Sequence, residues 1–171
     1  RKEYPDCIFF FFWGEPKYAV ANGDFDIDFL THCYNEGYNN LFRKEPGTNA
    51  FKSDGKSFFR KEGKGEANTF FDYFLSNLEA IKGKGYISVP TGNHDLPRIS
   101  IGRTQEELKV VFAFILALPS IPMIYYGDEI GMKGKGDPDC RRGMIWDETR
   151  QDNKLLNYYK KWKKKKKNSK A

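Results

Sequence analysis

The chain has little charge imbalance outside its last residues, and this limits what it can bind. The net charge is +6, but the segment 160–171 contains eight lysines and no acidic residue. Without that segment the chain has 21 basic and 23 acidic residues, a balance of −2. The basic surface expected of a nucleic-acid-binding fold is therefore absent. We interpret the tail as a solvated, disordered end, and we expect neither nucleic acid nor a membrane as partner.

Cysteines and long apolar runs are also scarce. Cys7, Cys33 and Cys140 are too widely spaced for a metal pattern or a disulfide framework, and we interpret Cys7 and Cys33 as small core residues. The apolar run 7–13 is too short to cross a bilayer, and no signal-peptide cleavage site is recognisable. These absences favour a reducing, cytoplasmic compartment. We expect no cofactor; a structural calcium ion is compatible with the sequence but not indicated by it.

Hydrophobic periodicity predicts alternating strands and helices. The predicted strands are 7–13, 25–30, 86–90 and 121–126, and the predicted helices are 68–82, 104–118 and one from about residue 152 into the lysine tract. The segment 43–65, rich in Gly, Lys and Ser, predicts a long loop. The first of these helices has apolar residues at spacings of three and four: Phe70, Phe71, Phe74, Leu75, Leu78 and Ile81. This alternation predicts a parallel sheet with helices outside it.

Polar residues follow three of the predicted strands. Glu15 comes after the first, 93–95 (Asn-His-Asp) after the third, and 128–129 (Asp-Glu) after the fourth. In parallel folds, ligand-binding groups lie on loops at the carboxyl ends of the strands. Paired carboxyl groups suit glycoside chemistry, in which one donates a proton and another supports the transition state. An apolar setting would keep Glu15 available as the acid, and Asp95 could accept hydrogen bonds from two sugar hydroxyls.

Structural interpretations of the same residues stay open at this point. Glu15 could lie at the surface without a role, and Asn93 or Asp95 could simply cap the backbone that follows. For Asp128 and Glu129 we favour an ion pair or a cap over catalysis. His32, in an aromatic stretch, is interpreted as a core or rim residue.

Four segments resemble conserved regions of the α-amylase family, glycoside hydrolase family thirteen. "GEP" (14–16) resembles the third short region of that family and "GNHDLPR" (92–98) the fourth. "IPMIYYGDEIGM" (121–132) resembles its eighth-strand segment. "GDPDCRRGMIWDE" (136–148) is similar to the segment that follows in neopullulanases, cyclomaltodextrinases and related α-glucosidases. The four occur in the family's order and cover residues 5 to about 160.

The resemblance implies a fold and a set of roles. The fold is a partial (β/α)8 TIM barrel, approximately strands five to eight, over residues 1–159, followed by the lysine-rich tail 160–171. Glu15 would be the proton donor, and Asp95 the second carboxylate that grips the sugar ring.

Four further residues receive substrate-binding roles from the same resemblance. His94 would hydrogen-bond the ring that Asp95 grips. Asp137 and Arg141 would bind the next sugar of an α-glucan or malto-oligosaccharide, and Arg98 would contact the acceptor side. No metal ligand is implied.

One part of the family's pattern is missing from the sequence. The nucleophilic aspartate belongs to strand four of the family's barrel, and only 14 residues precede Glu15. We therefore expect a fragment of a retaining glycoside hydrolase acting on starch-derived oligosaccharides, inactive alone, with open sheet edges, an exposed inner face and self-association. The alternatives are a non-catalytic carbohydrate-binding or scaffold relic of the same barrel, and a transglycosylase.

Overall fold

The fold was analysed in a computed structural model, which describes residues 3–12, 14–30, 36–42 and 57–169. The strands are β1 (Phe10–Phe11), β2 (Ile27–Phe29), β3 (Tyr86–Pro90) and β4 (Ile121–Met123). The helices are α1 (Pro16–Ala19), α2 (Glu36–Phe42), α3 (Asn68–Ala80), α4 (Gln105–Ala117) and α5 (Asn153–Asn168). Short 3-10 turns occupy Asp128–Ile130, Asp139–Arg141 and Glu148–Arg150. Most of the predicted loop 43–65 lies outside the described residues, as do Cys33 and His32.

The strands form one parallel sheet in the order β1-β2-β3-β4. This confirms the predicted alternating α/β architecture; α1 and α2 were not predicted. Side chains alternate along β3, so Ile87 and Val89 share one face of the sheet. Both belong to a buried cluster that includes Phe74 of α3 and Phe112 of α4. The core therefore lies between the sheet and its helices, which leaves the carboxyl ends of the strands for the loops.

A capping box begins α4, and the spacing of Thr104 and Glu107 in the sequence predicts it. The Thr104 hydroxyl accepts from the Glu107 backbone N–H at 3.3 Å, and the Glu107 carboxylate accepts from the Thr104 N–H at 2.7 Å. Burial acts to raise the pKa of Glu107, but hydrogen bonds from the backbone of Thr104 and Lys61 outweigh it and lower that pKa.

A depressed carboxyl pKa contributes stability above the unfolded-state pKa, about 4.3 for Glu, which is lost as the pH falls through the folded value. We expect Glu107→Gln, which can keep the cap geometry, to be less stable than the parent chain at pH 7 and to match it at the lowest pH at which both stay folded. Urea unfolding across pH 3–7 measures the difference in the free energy of unfolding between the two chains. A difference that is the same at every pH would show that the charge contributes nothing.

The first predicted strand is shorter and more exposed than expected. Only Phe10 and Phe11 pair with β2, and Ile8, Phe10 and Phe12 are 64%, 54% and 47% exposed. The prediction of a strand buried on both faces is wrong, because β1 is an edge of the described sheet. Cys7 is exposed, so its interpretation as a core residue is also wrong.

The face of the sheet opposite the helices is not open throughout. Ile27, Phe29 and Ser88 alternate with the helix-facing positions, and they are 4%, 9% and 1% exposed. The rings of Phe10 and Phe12 lie 6.2 and 5.2 Å from that of Phe29, measured between centroids. The expected exposed inner face is therefore wrong for these central positions, and the exposure lies at the β1 edge and at Tyr86, the first residue of β3.

Two further predictions differ at the helices. On α3, Phe70 and Phe74 are buried as predicted, but Leu75 is exposed. The predicted disorder of the lysine tail is wrong for residues 160–168, because α5 continues to Asn168. Leu155, Tyr159 and Trp162 pack on the core from one side of α5. This apolar stripe holds the helix despite its like charges.

Candidate active site

Glu15 lies at the carboxyl end of β1, at the start of α1. Gly14 precedes it with φ +94°, a conformation that residues with a Cβ rarely adopt, and this turn presents the glutamate beyond the strand. The Glu15 Oε2 atom is buried and accepts no hydrogen bond from the described residues, and Lys17 Nζ lies 3.8 Å from it. About a third of the Glu15 side chain is exposed.

Asp28 fixes the backbone of this turn and was missed in the sequence analysis. Its Oδ2 accepts from the Glu15 N–H at 2.9 Å, and its Oδ1 accepts from the Gly14 N–H at 3.4 Å. The Gly14 carbonyl accepts from the Tyr73 hydroxyl at 2.7 Å. Asp28 is fully buried in β2. A carboxylate between apolar neighbours in "FDIDFL" was the available signal, since such a buried charge needs backbone donors.

Four of the predicted residues converge beyond the carboxyl end of β3. The Arg141 guanidinium donates to Asp95 Oδ1 at 3.1 Å and to the His94 carbonyl at 2.9 Å, and its Nε atom forms an ion pair with Asp137 Oδ1 at 2.7 Å. The His94 Nε2 atom lies 3.4 Å from Asp95 Oδ1. These four side chains are 45–56% exposed, so a ligand can reach them. Asp95, His94, Asp137 and Arg141 are named below as the Asp95 cluster.

Asn93 has the capping role that the sequence left open. Its Oδ1 atom accepts from the backbone N–H groups of Asp95 at 2.9 Å and of Leu96 at 3.1 Å. This turn holds the backbone of Asp95 while its Oδ2 atom stays unbonded within the described part of the chain. The structure therefore divides the motif: Asn93 shapes the loop, and His94 and Asp95 face solvent.

The loop that carries Asp137 and Arg141 is held by buried and charged groups. The Cys140 thiol donates to the His94 carbonyl at 3.0 Å, and burial, followed by the charge of Asp137, raises its pKa. The backbone N–H of Lys135, followed by contacts with Arg142, lowers the pKa of Asp139. Because its pKa is raised and it is bonded to the His94 carbonyl, the Cys140 thiol is an anchor for the loop and not a nucleophile.

Arg98 is not placed as predicted. It is 1% exposed, and its Nη1 atom lies 3.2 Å from Oδ1 of Asp128, whose side chain is fully buried. The same atom donates to the Tyr126 carbonyl. The Arg98 Cζ atom lies 4.7 and 4.6 Å from the ring centroids of Tyr125 and Tyr126. The predicted contact between Arg98 and a sugar is therefore corrected, because the guanidinium is enclosed by protein.

Asp128, which follows β4, has the structural role that the sequence favoured. Its Oδ2 atom accepts from the Thr91 hydroxyl at 2.6 Å, which links the carboxyl ends of β3 and β4. Burial, followed by a hydrogen bond with Tyr126, raises the pKa of Tyr125 to about 12, while the nearby charge of Arg98 acts to lower it. Tyr125 is therefore neutral at pH 7.

In the described ranges, no three His, Cys, Asp or Glu side chains group in a way that could hold a metal ion. No helix there is long and apolar enough to span a bilayer.

Parallel strands flanked by helices, with charged side chains on the loops at their carboxyl ends, define part of a β/α-barrel fold. The family model described as "Alpha amylase, catalytic domain" matches residues 41–171. The chain belongs to the α-amylase family.

Relatives identified from their sequences match a short segment. The cyclomaltodextrinase of Thermoanaerobacter pseudethanolicus is 45% identical over 73 residues, which are 41% of this chain and 12% of that protein. The maltogenic α-amylase of Bacillus acidopullulyticus is 46% identical over 72 residues, again 41% of this chain and 12% of that protein. The 4-α-glucanotransferase of Thermotoga neapolitana is 39% identical over 69 residues, 37% of this chain and 16% of that protein. The matches thus span a small part of each relative.

Solved structures match nearly the whole chain. The maltogenic amylase from S. marinus gives a TM-score of 0.73 at 27% identity, covering 97% of this chain and 22% of that one. The α-amylase from Geobacillus thermoleovorans, solved in complex with acarbose, gives 0.71 at 19% identity, covering 96% and 34%. The second likeness concerns the fold alone. Together they confirm the expected partial barrel.

Proposed function

We propose that this chain contributes the proton donor and the ring-binding residues of a retaining glycoside hydrolase that cleaves α-glucosidic bonds in starch-derived oligosaccharides. The supporting observation is the convergence of the Asp95 cluster in one exposed site, with Glu15 at the carboxyl end of another strand of the same sheet. The cyclomaltodextrinases and maltogenic amylases among the relatives favour such substrates. In this proposal Glu15 protonates the leaving oxygen.

The Asp95 cluster grips the sugar chain in this proposal. Asp95 Oδ2 and His94 bond the hydroxyls of the ring at the cleavage site, and Asp137 with Arg141 bonds the next sugar. Arg141 orients the Asp95 carboxylate through Oδ1 and leaves Oδ2 for the substrate. Charged hydrogen bonds of this kind are roughly twice as strong as neutral ones, so they suit a site that must hold one ring in one orientation.

A retaining mechanism also needs a nucleophilic carboxylate about 5 Å from the donor. Asp28 does not supply it, because it is fully buried and both its oxygens accept backbone N–H groups. Asp95 is held by Arg141 as a ring-binding group. We therefore propose that the nucleophile comes from barrel strands one to four.

The experiment that tests this function measures turnover. Residues 1–171 alone are expected to show none with a nitrophenyl α-glucoside or with soluble starch, because in this proposal the nucleophile lies on barrel strands one to four. Turnover is expected after mixing with strands one to four of the T. pseudethanolicus cyclomaltodextrinase. Glu15→Gln should then lower it by about 10²–10⁴-fold, the usual size of an acid–base contribution.

Glu79→Gln is the matched control, since this glutamate on α3 is 79% exposed and lies in a surface ion pair. Turnover by residues 1–171 alone that disappears in Glu15→Gln would contradict the assignment of the nucleophile. Maltotriose binding without turnover in the completed barrel would favour the non-catalytic carbohydrate-binding alternative. Oligosaccharide products longer than the substrate would favour transglycosylation, the activity named in the T. neapolitana relative.

Self-association through the β1 edge is part of the proposal. Ile8, Phe10 and Phe12 are exposed there, and an unpaired strand edge favours pairing with another chain. We expect sedimentation velocity to show oligomers that grow with concentration and that Phe10→Lys reduces. Leu75→Lys, at an equally exposed residue of α3, is the control. A single monomeric species at every concentration would contradict this.

A further inference from the structure

Arg98 completes a ring of contacts that begins and ends at Asp95. Its backbone N–H donates to the Gly134 carbonyl at 2.9 Å, and its Nη1 atom donates to the Tyr126 carbonyl. The Tyr126 hydroxyl donates to the Arg142 carbonyl at 2.8 Å. Arg142 is next to Arg141, whose guanidinium binds Asp95. Arg98 thus contacts the loop 134–142 directly at Gly134, through its backbone, and indirectly at Arg142, through Tyr126.

The Arg98 side chain is enclosed by its neighbours. Asp128 neutralises its charge at 3.2 Å, and the rings of Tyr125 and Tyr126 cover it. Asp128 in turn is bonded to Thr91 at the end of β3. Nη1 makes both side-chain hydrogen bonds of Arg98, so a displacement of the guanidinium would break the ion pair, the bond to Tyr126 and the ring contacts together.

We propose that Arg98 is a positioning residue, which holds Arg141 against Asp95 and the His94 carbonyl through Tyr126 and the loop 134–142. The orientation of the Asp95 carboxylate toward a sugar then depends on a side chain that no sugar touches. This inference rests on the proposed role of Asp95 in binding the ring.

A second buried arginine allows this role to be separated from ordinary stabilisation. Arg103 is 5% exposed and donates to the Ile99 carbonyl at 2.8 Å, to Ser57 Oγ at 2.8 Å and to the Phe42 carbonyl. None of these three acceptors belongs to the loop 134–142. Arg103→Lys should therefore disturb a similar buried network and leave the contacts between Arg98, Tyr126 and the loop 134–142 intact.

The test compares Arg98→Lys and Arg103→Lys in the full chain. Lysine keeps a positive charge near Asp128 but lacks the planar guanidinium that packs against the rings of Tyr125 and Tyr126 and whose Nη1 reaches both Asp128 and the Tyr126 carbonyl. The first measurement is hydrogen exchange of the Arg141 Nε–H by NMR, because this group donates to the His94 carbonyl and its nitrogen lies 2.7 Å from Asp137 Oδ1. The second is the Kd for maltotriose. Urea unfolding records the stability of each variant.

We expect Arg98→Lys to speed the Nε–H exchange and to weaken maltotriose binding, each by about tenfold, a usual size for coupling between residues of one network. Arg103→Lys should lower stability without changing either. Unchanged exchange in Arg98→Lys, or equal changes in both variants, would overturn the proposal. If Arg98→Lys does not fold, Tyr126→Phe takes its place, because it removes the hydroxyl that reaches the Arg142 carbonyl. Faster exchange of the Arg141 Nε–H in this variant would support the proposal, and unchanged exchange would overturn it. A parent chain that does not bind maltotriose would count against the proposed function, while the exchange rates still decide the role of Arg98.

Discussion

Replacing Asp128 by alanine is expected to lower the free energy of unfolding by about 3–5 kcal/mol. The substitution leaves the Arg98 guanidinium buried without its carboxylate and removes the acceptor of the Thr91 hydroxyl. A loss of this size is a large share of the stability of an ordinary domain, about 5–15 kcal/mol. Urea unfolding followed by circular dichroism measures it.

Two further variants show whether the loss comes from the buried ion pair. Glu106→Ala removes an exposed ion pair with Lys109 and should cost less than about 1 kcal/mol. The double variant Arg98→Met, Asp128→Leu removes both charges and should recover most of the stability, because a buried ion pair is often no more stable than apolar residues of similar size. An Asp128→Ala chain as stable as the parent would show that the pair contributes nothing at this position.

Asp95→Asn is expected to lower kcat/KM of the completed barrel by about 10²–10³-fold. The asparagine keeps the size of the side chain but replaces a charged, half-exposed acceptor paired with Arg141 by a neutral amide. Charge that develops on the sugar ring in the transition state is then no longer stabilised. Steady-state kinetics with a nitrophenyl α-glucoside measure the effect.

Asp139→Asn is the matched control for this prediction. Asp139 lies in the loop of Asp137 and Arg141, and it pairs with Arg142 instead of reaching the Asp95 cluster. Its replacement should leave kcat/KM within about threefold of the parent, since exposed ion pairs contribute little. Equal losses in both variants would mean that the loop conformation, and not the Asp95 carboxylate, carries the effect.

The order of elements and the position of the site could be predicted from the sequence. Apolar periods of two and of three to four residues predicted β3, α3 and α4, and the capping-box spacing predicted the start of α4. These patterns are local, so short windows of sequence are sufficient to identify them. Parallel strands joined by helices must end at the same edge, and this placed Glu15 and the Asp95 cluster at one side of the sheet.

The burial of particular side chains could not be predicted in this way. Arg98 reads as a substrate contact because it follows His94 and Asp95, yet it pairs with Asp128, 30 positions later in the chain. Asp28 binds the backbone of Glu15 from 13 positions away. The exposure of Leu75 and Cys7 likewise depends on neighbours from other elements.

The sequence by itself determined the alternation of strands and longer helices, the family, and most of the residues considered for sugar binding. Only the tertiary structure decided which polar groups face a ligand and which hold the loops: Asp95 and His94 face solvent, whereas Asp28, Asn93, Arg98 and Asp128 bind the chain itself. The physical reason is that a charged group is stable in the interior only with partners, and those partners come together only when distant segments pack.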